Sequence, residues 1–66
     1  MKLVIHKEDD ALYLHLDESE VIESEEVQEG IILDYNAQGK VVGIEVLYLS
    51  QRSPQAFQQV LLQTTP

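Results

Sequence analysis

The sequence predicts an α+β fold, in which an antiparallel β-meander of four to five strands is followed by one C-terminal helix packed on the sheet. Three observations lead to this prediction: short β-rich runs with alternating apolar residues, a strong hairpin turn near the middle, and one helical stripe close to the end. At 66 residues the chain is expected to form a single small domain, with a β-rich core over 1–52 and the helix over 53–64.

The most strongly predicted element is a long β-hairpin over residues 30–49. Its two β-rich runs, 31–35 and 41–49, flank the sequence Asn-Ala-Gln-Gly. Asn36 favours the first position of a type I turn, and Gly39 can adopt the left-handed conformation that closes a hairpin loop with a bulge. Because both faces of the hairpin are largely apolar, we expect it to lie in the centre of the sheet with both faces covered.

The turn also predicts the register of the hairpin. The expected pairs are Tyr35 with Val41, Leu33 with Gly43, and Ile31 with Glu45. In this register Asp34 and Glu45 interrupt opposite faces, and Ile44 lies on the face that carries Asp34. Gly43 in the middle of a strand indicates a bulge or the close approach of another chain.

Two shorter strands are predicted before the hairpin, over residues 1–7 and 11–16, joined by a polar turn at 8–10. Their pairing is chosen to give one continuous apolar face, since a slip of one residue would turn a whole strand over. That face carries Leu3, Ile5, Leu12, Leu14 and Leu16.

The acidic stretch 17–29 predicts a weak edge strand, with Glu23 and Glu25 on one side and Glu26 on the other. Charged side chains along an edge prevent sheets from pairing with one another. A short acidic helix that begins at Ser19 is the alternative.

A C-terminal helix is predicted to begin at Ser53, as the N-cap, with Pro54 in the first helical position. Its apolar stripe is Phe57, Val60, Leu61 and Thr64. We expect this helix to cover one face of the hairpin. Part of the other face is expected to be buried in a homo-oligomer, most simply a two-fold dimer.

The charge and composition exclude several classes of function. Twelve acidic and four scattered basic residues give a net charge of −8, which argues against direct binding of nucleic acid or an anionic membrane. The chain has no cysteine and no apolar run long enough to span a bilayer or form a signal-peptide core, so a cytoplasmic protein is expected. Its acidity would steer a basic protein partner favourably, but acidity also simply favours solubility, and that interpretation has the greater weight.

Several blocks of sequence resemble one family. The blocks are Asp10–Leu14 with Leu16, Ser24–Val27, Gly30–Tyr35, and Gly39–Glu45 with Leu47 and Ser50. They are similar to the small acidic bacterial and archaeal domain-of-unknown-function family numbered 2283, in order and spacing, over about residues 1–52. The resemblance implies a fold but no reaction, and it implies that an antitoxin-like role is worth testing. Relatives often carry Asp-Pro where this chain has His6-Lys7, which weakens any functional role for His6.

No candidate chemistry in the sequence is well supported. His6 and His15 lack an evident third convergent ligand, so no metal or cofactor is expected. There is no cysteine nucleophile, no serine in a nucleophile elbow and no glycine-rich phosphate loop. Carboxylates among apolar neighbours can act as acids or bases, which makes Asp34 and Glu45, with the adjacent Tyr35, the candidates for a site at a subunit interface.

The sequence therefore favours a non-enzymatic protein-interaction module, an antitoxin-like partner of a basic protein being one form of it. The alternatives are a small enzyme or ligand binder with a site at a homo-oligomer interface, and a purely self-assembling structural protein. The candidate interaction or interface residues are Asp34, Tyr35, Glu45, Ile44, Glu23, Glu25 and Glu26.

Overall fold

The computed structural model describes residues 1–52. Five strands form one antiparallel sheet, followed by one short helix. They are β1 (Lys2–His6), β2 (Ala11–His15), β3 (Glu23–Gln28), β4 (Ile31–Tyr35), β5 (Val41–Val46) and α1 (Leu49–Arg52). The α+β prediction, with an antiparallel sheet and a C-terminal helix, is confirmed.

The spatial order of the strands is β1-β2-β5-β4-β3. Strands that follow one another in sequence pair as hairpins, β1 with β2, β3 with β4 and β4 with β5, and β2 also pairs with β5. Residues 16–22 carry the chain from β2 to β3 at the far edge of the sheet. Both ends of this connection are hydrogen-bonded to the β4–β5 hairpin. The Leu16 N–H donates to the Val42 carbonyl at 2.8 Å, and the Ile22 N–H donates to the Tyr35 carbonyl at 2.8 Å. Strands β4 and β5 are internal, as predicted, and the acidic β3 is an edge strand.

The predicted turn is present, but the predicted register holds for only one strand pair beyond it. Gly39 has a φ of +77°, and the Asn36 N–H donates to the Lys40 carbonyl at 2.9 Å. Tyr35 then pairs with Val41 as expected. A β-bulge follows, so Asp34, rather than Leu33, faces Gly43. The extra residue in β5 shifts every later pair by one position, which moves whole sets of side chains to the other face.

Because of this shift, rows of paired residues cross the whole sheet, and one face is mainly aliphatic whereas the other carries most of the polar side chains. Paired residues in adjacent strands lie on the same side, and successive residues alternate. On the apolar face, one row is Leu3, Leu14, Ile44, Leu33 and Glu25, and the next is Ile5, Leu12, Val46 and Ile31. On the polar face, the rows are Val4, Tyr13, Glu45, Ile32 and Glu26, and Lys2, His15, Gly43, Asp34 and Ser24.

The predicted grouping of Leu3 and Ile5 with the leucines of β2 is confirmed. The predicted faces of the hairpin are wrong in two respects. Ile44 lies on the apolar face and not with Asp34, and Asp34 and Glu45 lie on the same face.

The predicted β-rich run over 41–49 is too long, because β5 ends at Val46 and α1 begins at Leu49. The predicted cap at Ser53 lies outside the described residues. The first residues of α1 are tied to Asp10, forty positions earlier in the sequence. The Asp10 carboxylate accepts the Ser50 N–H at 3.0 Å and the Ser50 hydroxyl at 2.7 Å, and its backbone carbonyl accepts the Leu49 N–H at 3.0 Å. Asp10 caps the helix from a distant part of the chain and satisfies these amides, and the sequence around Leu49 does not predict this cap. The stripe from Phe57 to Thr64 lies outside the described residues.

Candidate functional site

A hydrogen-bonded cluster of polar side chains lies on the polar face, at the centre of the sheet. The two carboxylate oxygens of Asp34 in β4 accept hydrogen bonds from the adjacent strand β3 and from β2, which lies beyond β5. The Ser24 hydroxyl in β3 donates to Oδ1 at 2.5 Å, and the Tyr13 hydroxyl in β2 donates to Oδ2. Asp34 is only 8% exposed, and it is the buried charged side chain of the described sheet. Three strands therefore meet at one carboxylate.

Gly43 makes this cluster possible. It lies in β5 between Tyr13 and Asp34, directly opposite Asp34 in the β4–β5 ladder. A Cβ atom at this position would overlap the Tyr13 hydroxyl and would lie 2.8 Å from the ring carbon that bears it and 3.2 Å from Asp34 Oδ2. The predicted close approach at Gly43 is therefore made by a side chain of the same chain, and the predicted bulge lies beside it.

Asp34 and Glu45 both act on Tyr13. The hydrogen bond to Asp34, partial burial, and the charges of Asp34 and Glu45 together raise the pKa of Tyr13 to about 12. The prediction that Asp34 and Glu45 lie on opposite faces is wrong, because the bulge brings them to the same face. Asp34 already has two hydroxyl donors, however, and the neutral phenol is a weak acid at neutral pH. The cluster has the character of a structural network.

The raised pKa of Tyr13 predicts how stability depends on alkaline pH. The ordinary phenol value is 10.0, and the folded value is about 12, so folding favours the protonated phenol. This contribution to stability is complete below pH 10 and is lost as the pH rises to about 12. In an absorbance titration, one tyrosine should ionise late, and Tyr13→Phe should remove that step.

The free energy of unfolding should fall more steeply between these pH values in the wild type than in Tyr13→Phe. The comparison between the two proteins cancels the lysine titrations that occur in the same range. Ionisation of every tyrosine near pH 10 in the folded protein would contradict the hydrogen bond to Asp34.

The remaining candidate residues are distributed around the sheet and do not form one site. Glu23 and Glu25 flank Tyr35 at the β3 edge, and partial burial, with the charges of both carboxylates, raises the pKa of Tyr35. Glu26 lies on the opposite face and accepts the Gly30 N–H at 2.9 Å. Ile44 lies between Leu14 and Leu33 in the middle of the apolar face, whereas Glu23, Glu25 and Tyr35 line an open depression of about 380 Å³ at the β3 edge.

An open cleft of about 430 Å³ lies on the polar face beside the 16–22 connection. Its walls include Tyr13, His15 and Val42, and its rim includes Asp17 and Glu18. The Tyr13 and His15 ring centroids are 4.3 Å apart. Within residues 1–52, no three histidine, cysteine or acidic side chains converge in a way that could hold a metal ion.

The apolar face is only partly covered by other residues of the described chain. Its residues on β1, β2, β5 and β4 are aliphatic, yet each keeps part of its surface exposed, and Leu3 is 36% exposed. Among hydrophobic side chains of the described chain, only Ala11 and Val42 are fully buried. The main contacts between elements of residues 1–52 are made between adjacent strands within the single sheet. A sheet usually buries such a face against a second layer.

These features define a class of protein: a small single-sheet α+β domain with a satisfied polar cluster on one face and a continuous aliphatic surface on the other. The chain belongs to the family described as "Protein of unknown function (DUF2283)", whose profile matches residues 2–50. This confirms the resemblance seen in the sequence. Comparison with curated proteins and with solved structures gives no match. No helix within residues 1–52 is long and apolar enough to cross a bilayer.

The polar cluster was the part of the site that sequence reasoning missed. Tyr13 and Ser24 are 21 and 10 positions from Asp34, and nothing in their local sequence links them to it. The usable signal was Gly43, because a glycine inside a β-rich run indicates that something approaches the backbone closely.

Proposed function

We propose that this protein is a non-enzymatic protein-interaction module that binds through the apolar face of its sheet. The observation that supports the proposal is the pair of aliphatic rows across β1, β2, β5 and β4, which stay partly exposed in the described chain. Removing such side chains from water contributes about 25 cal/mol per Å² of apolar surface, from which the entropic cost of association is subtracted. A flat aliphatic surface has no group that could carry out acid–base or nucleophilic chemistry.

The alternative function, a small enzyme or ligand binder around Asp34, Tyr35 and Glu45, has weaker support. In its favour, Asp34 and Glu45 share a face. Against it, both oxygens of Asp34 already accept hydrogen bonds, and Tyr35 lies on the other side of the sheet. A ligand would have to displace Tyr13 or Ser24 to reach the carboxylate.

A basic partner, as for an antitoxin-like protein, remains a second form of the interaction hypothesis. Its support is the acidic edge strand β3 together with the net charge of −8. A complex of this type would be weakened by salt, because its ion pairs are exposed. The cytoplasmic location likewise stays a prediction from composition.

The accessibility of the apolar face tests the proposal directly, and the absence of cysteine makes the test simple. Single cysteines are placed at Leu14 on the apolar face and, as a control, at His15, its neighbour on the polar face. Reaction of Leu14→Cys with a maleimide is measured against dilution, alongside the particle mass. We expect the thiol to react at a rate within about tenfold of the control whenever the particle is a single chain, and to be protected when the face is bound.

If Leu14→Cys were protected far more strongly than His15→Cys in a particle of single-chain mass, residues of the same chain would cover the face. The face would then be part of the core and not a binding surface, and the proposed function would be wrong.

A further inference from the structure

The apolar face has the residue pattern and the charge distribution of a self-complementary surface. We infer that its partner is a second copy of this chain, and that two sheets stack face to face as a ten-stranded sandwich with a two-fold axis parallel to the strands. This inference rests on the proposed function and names the partner of the same surface.

The small buried core favours a second copy. Among the hydrophobic side chains of residues 1–52, only Ala11 and Val42 are buried, so the described sheet has little core of its own. Domains of this size often gain buried surface from disulfides, a metal site or oligomerisation, and this sequence has no cysteine. Stacking two apolar faces would supply additional buried surface.

The apolar rows are arranged symmetrically about the seam between β2 and β5. The four strands that carry them are β1, β2, β5 and β4, in that spatial order, so the middle of the surface is the seam between β2 and β5. Leu14 faces Ile44 at this seam, and Leu12 faces Val46. An axis along the seam would place β1 of one copy over β4 of the other and leave the aliphatic rows in register with each other. Such an interface uses the same surface twice, as a two-fold dimer requires.

The positions of the β3 carboxylates select the direction of the two-fold axis. In the described rows, the carboxylates on the apolar side are those of β3, which lies outside the four aliphatic strands. An axis parallel to the strands leaves each β3 overhanging the opposite edge of the partner, with Glu23 and Glu25 in water. An axis across the strands would stack β3 on β3 and bring four carboxylates together, which is unfavourable. The acidic edge therefore sets the orientation and limits the assembly to two copies.

The first experiment measures particle mass by sedimentation for the wild type and for two matched variants. Ile44→Asp places a charge in the centre of the apolar face, and Val4→Asp makes a similar change on the polar face. We expect twice the 7.5 kDa chain mass for the wild type and for Val4→Asp. For Ile44→Asp we expect dimerisation weakened by at least about 100-fold, because two charges would be buried across the axis. Unchanged dimerisation of folded Ile44→Asp would overturn the inference.

The second experiment keeps the inference testable even if Ile44→Asp does not fold. A spin label on Glu25→Cys, at the exposed β3 edge, reports the distance between the two copies in an otherwise unaltered face. Strands spaced ~4.8 Å apart and sheets ~10 Å apart give a separation of about 26 Å for an axis parallel to the strands. A separation close to the ~10 Å between stacked sheets would overturn the proposed axis.

Salt separates this dimer from a complex with a basic protein. Each copy carries −8, so salt should strengthen dimerisation by screening the repulsion, whereas it should release a basic partner. A wild-type monomer whose Leu14→Cys variant reacts freely would overturn the second-copy inference and leave the interaction module standing. A monomer in which that thiol is protected would overturn both.

Discussion

Replacing Gly43 by alanine should lower the free energy of unfolding by about 3 kcal/mol or more, which is enough to unfold much of a marginally stable small domain. The added methyl group would occupy the position of the Tyr13 hydroxyl and lie 2.8 Å from the adjoining ring carbon. Tyr13 must then move away from Asp34. Overpacking typically costs 1–3 kcal/mol, and loss of a hydrogen bond to a charged group costs about 1.5–3 kcal/mol. Urea unfolding monitored by circular dichroism would measure the change.

Gly39→Ala is the matched control for this substitution. Gly39 has a φ of +77° and no atom within 4 Å of the position that a Cβ would take. The substitution should therefore cost only the strain of a left-handed alanine, about 1 kcal/mol. Tyr13→Phe in the Gly43→Ala background should recover part of the lost stability, since the overlapping hydroxyl is gone. Equal losses for Gly43→Ala and Gly39→Ala would show that Tyr13 does not occupy the space above Gly43.

Replacing Asp34 by alanine should destabilise the protein by about 3 kcal/mol, because it removes the acceptor of two hydrogen bonds at the centre of the sheet. The hydroxyls of Tyr13 and Ser24 would lose their partner, and a cavity would remain under the ring. Asp34→Asn keeps one carbonyl oxygen and should cost roughly half as much. Because the hydrogen bond is shared, Asp34→Ala and Tyr13→Phe should be clearly non-additive when combined.

The opposite outcome for Asp34 would be informative about function. A buried carboxylate is sometimes less stable than an apolar replacement of similar shape. If Asp34→Ala were more stable than the wild type, the carboxylate would be present at a cost to folding, as functional groups often are. That result would favour the ligand-binding alternative over a purely structural role for the cluster.

Local signals were sufficient for the elements themselves. Asn36 and Gly39 predicted the turn, and the acidic residues of 17–29 predicted an edge strand. The leucines of residues 11–16 predicted that the apolar side chains of the first two strands lie together on one face. Each of these signals is a period, a turn preference or a charge pattern within one short segment, and it operates before distant parts of the chain meet.

The register of the β4–β5 hairpin does not follow from local signals alone. The sequence indicated a bulge near Gly43, but period-two counting from the turn ignored it, and one extra residue in β5 exchanged the faces of Ile44 and Glu45. Asp34 and Glu45 were consequently assigned to opposite faces, although they share one. The helix start at Leu49 was missed for a related reason, because its cap is Asp10, forty residues away.

By itself the sequence determined that the protein is a small acidic α+β domain, with a central hairpin, an acidic edge and no evident catalytic motif. The tertiary structure decided three further things: the placement of β5 beside β2, the meeting of Tyr13 and Ser24 at Asp34, and the continuity of the apolar rows. The physical reason is distance along the chain. Turn and strand preferences act between close neighbours, whereas the β2–β5 pairing, the polar cluster and the helix cap join residues 10 to 40 positions apart.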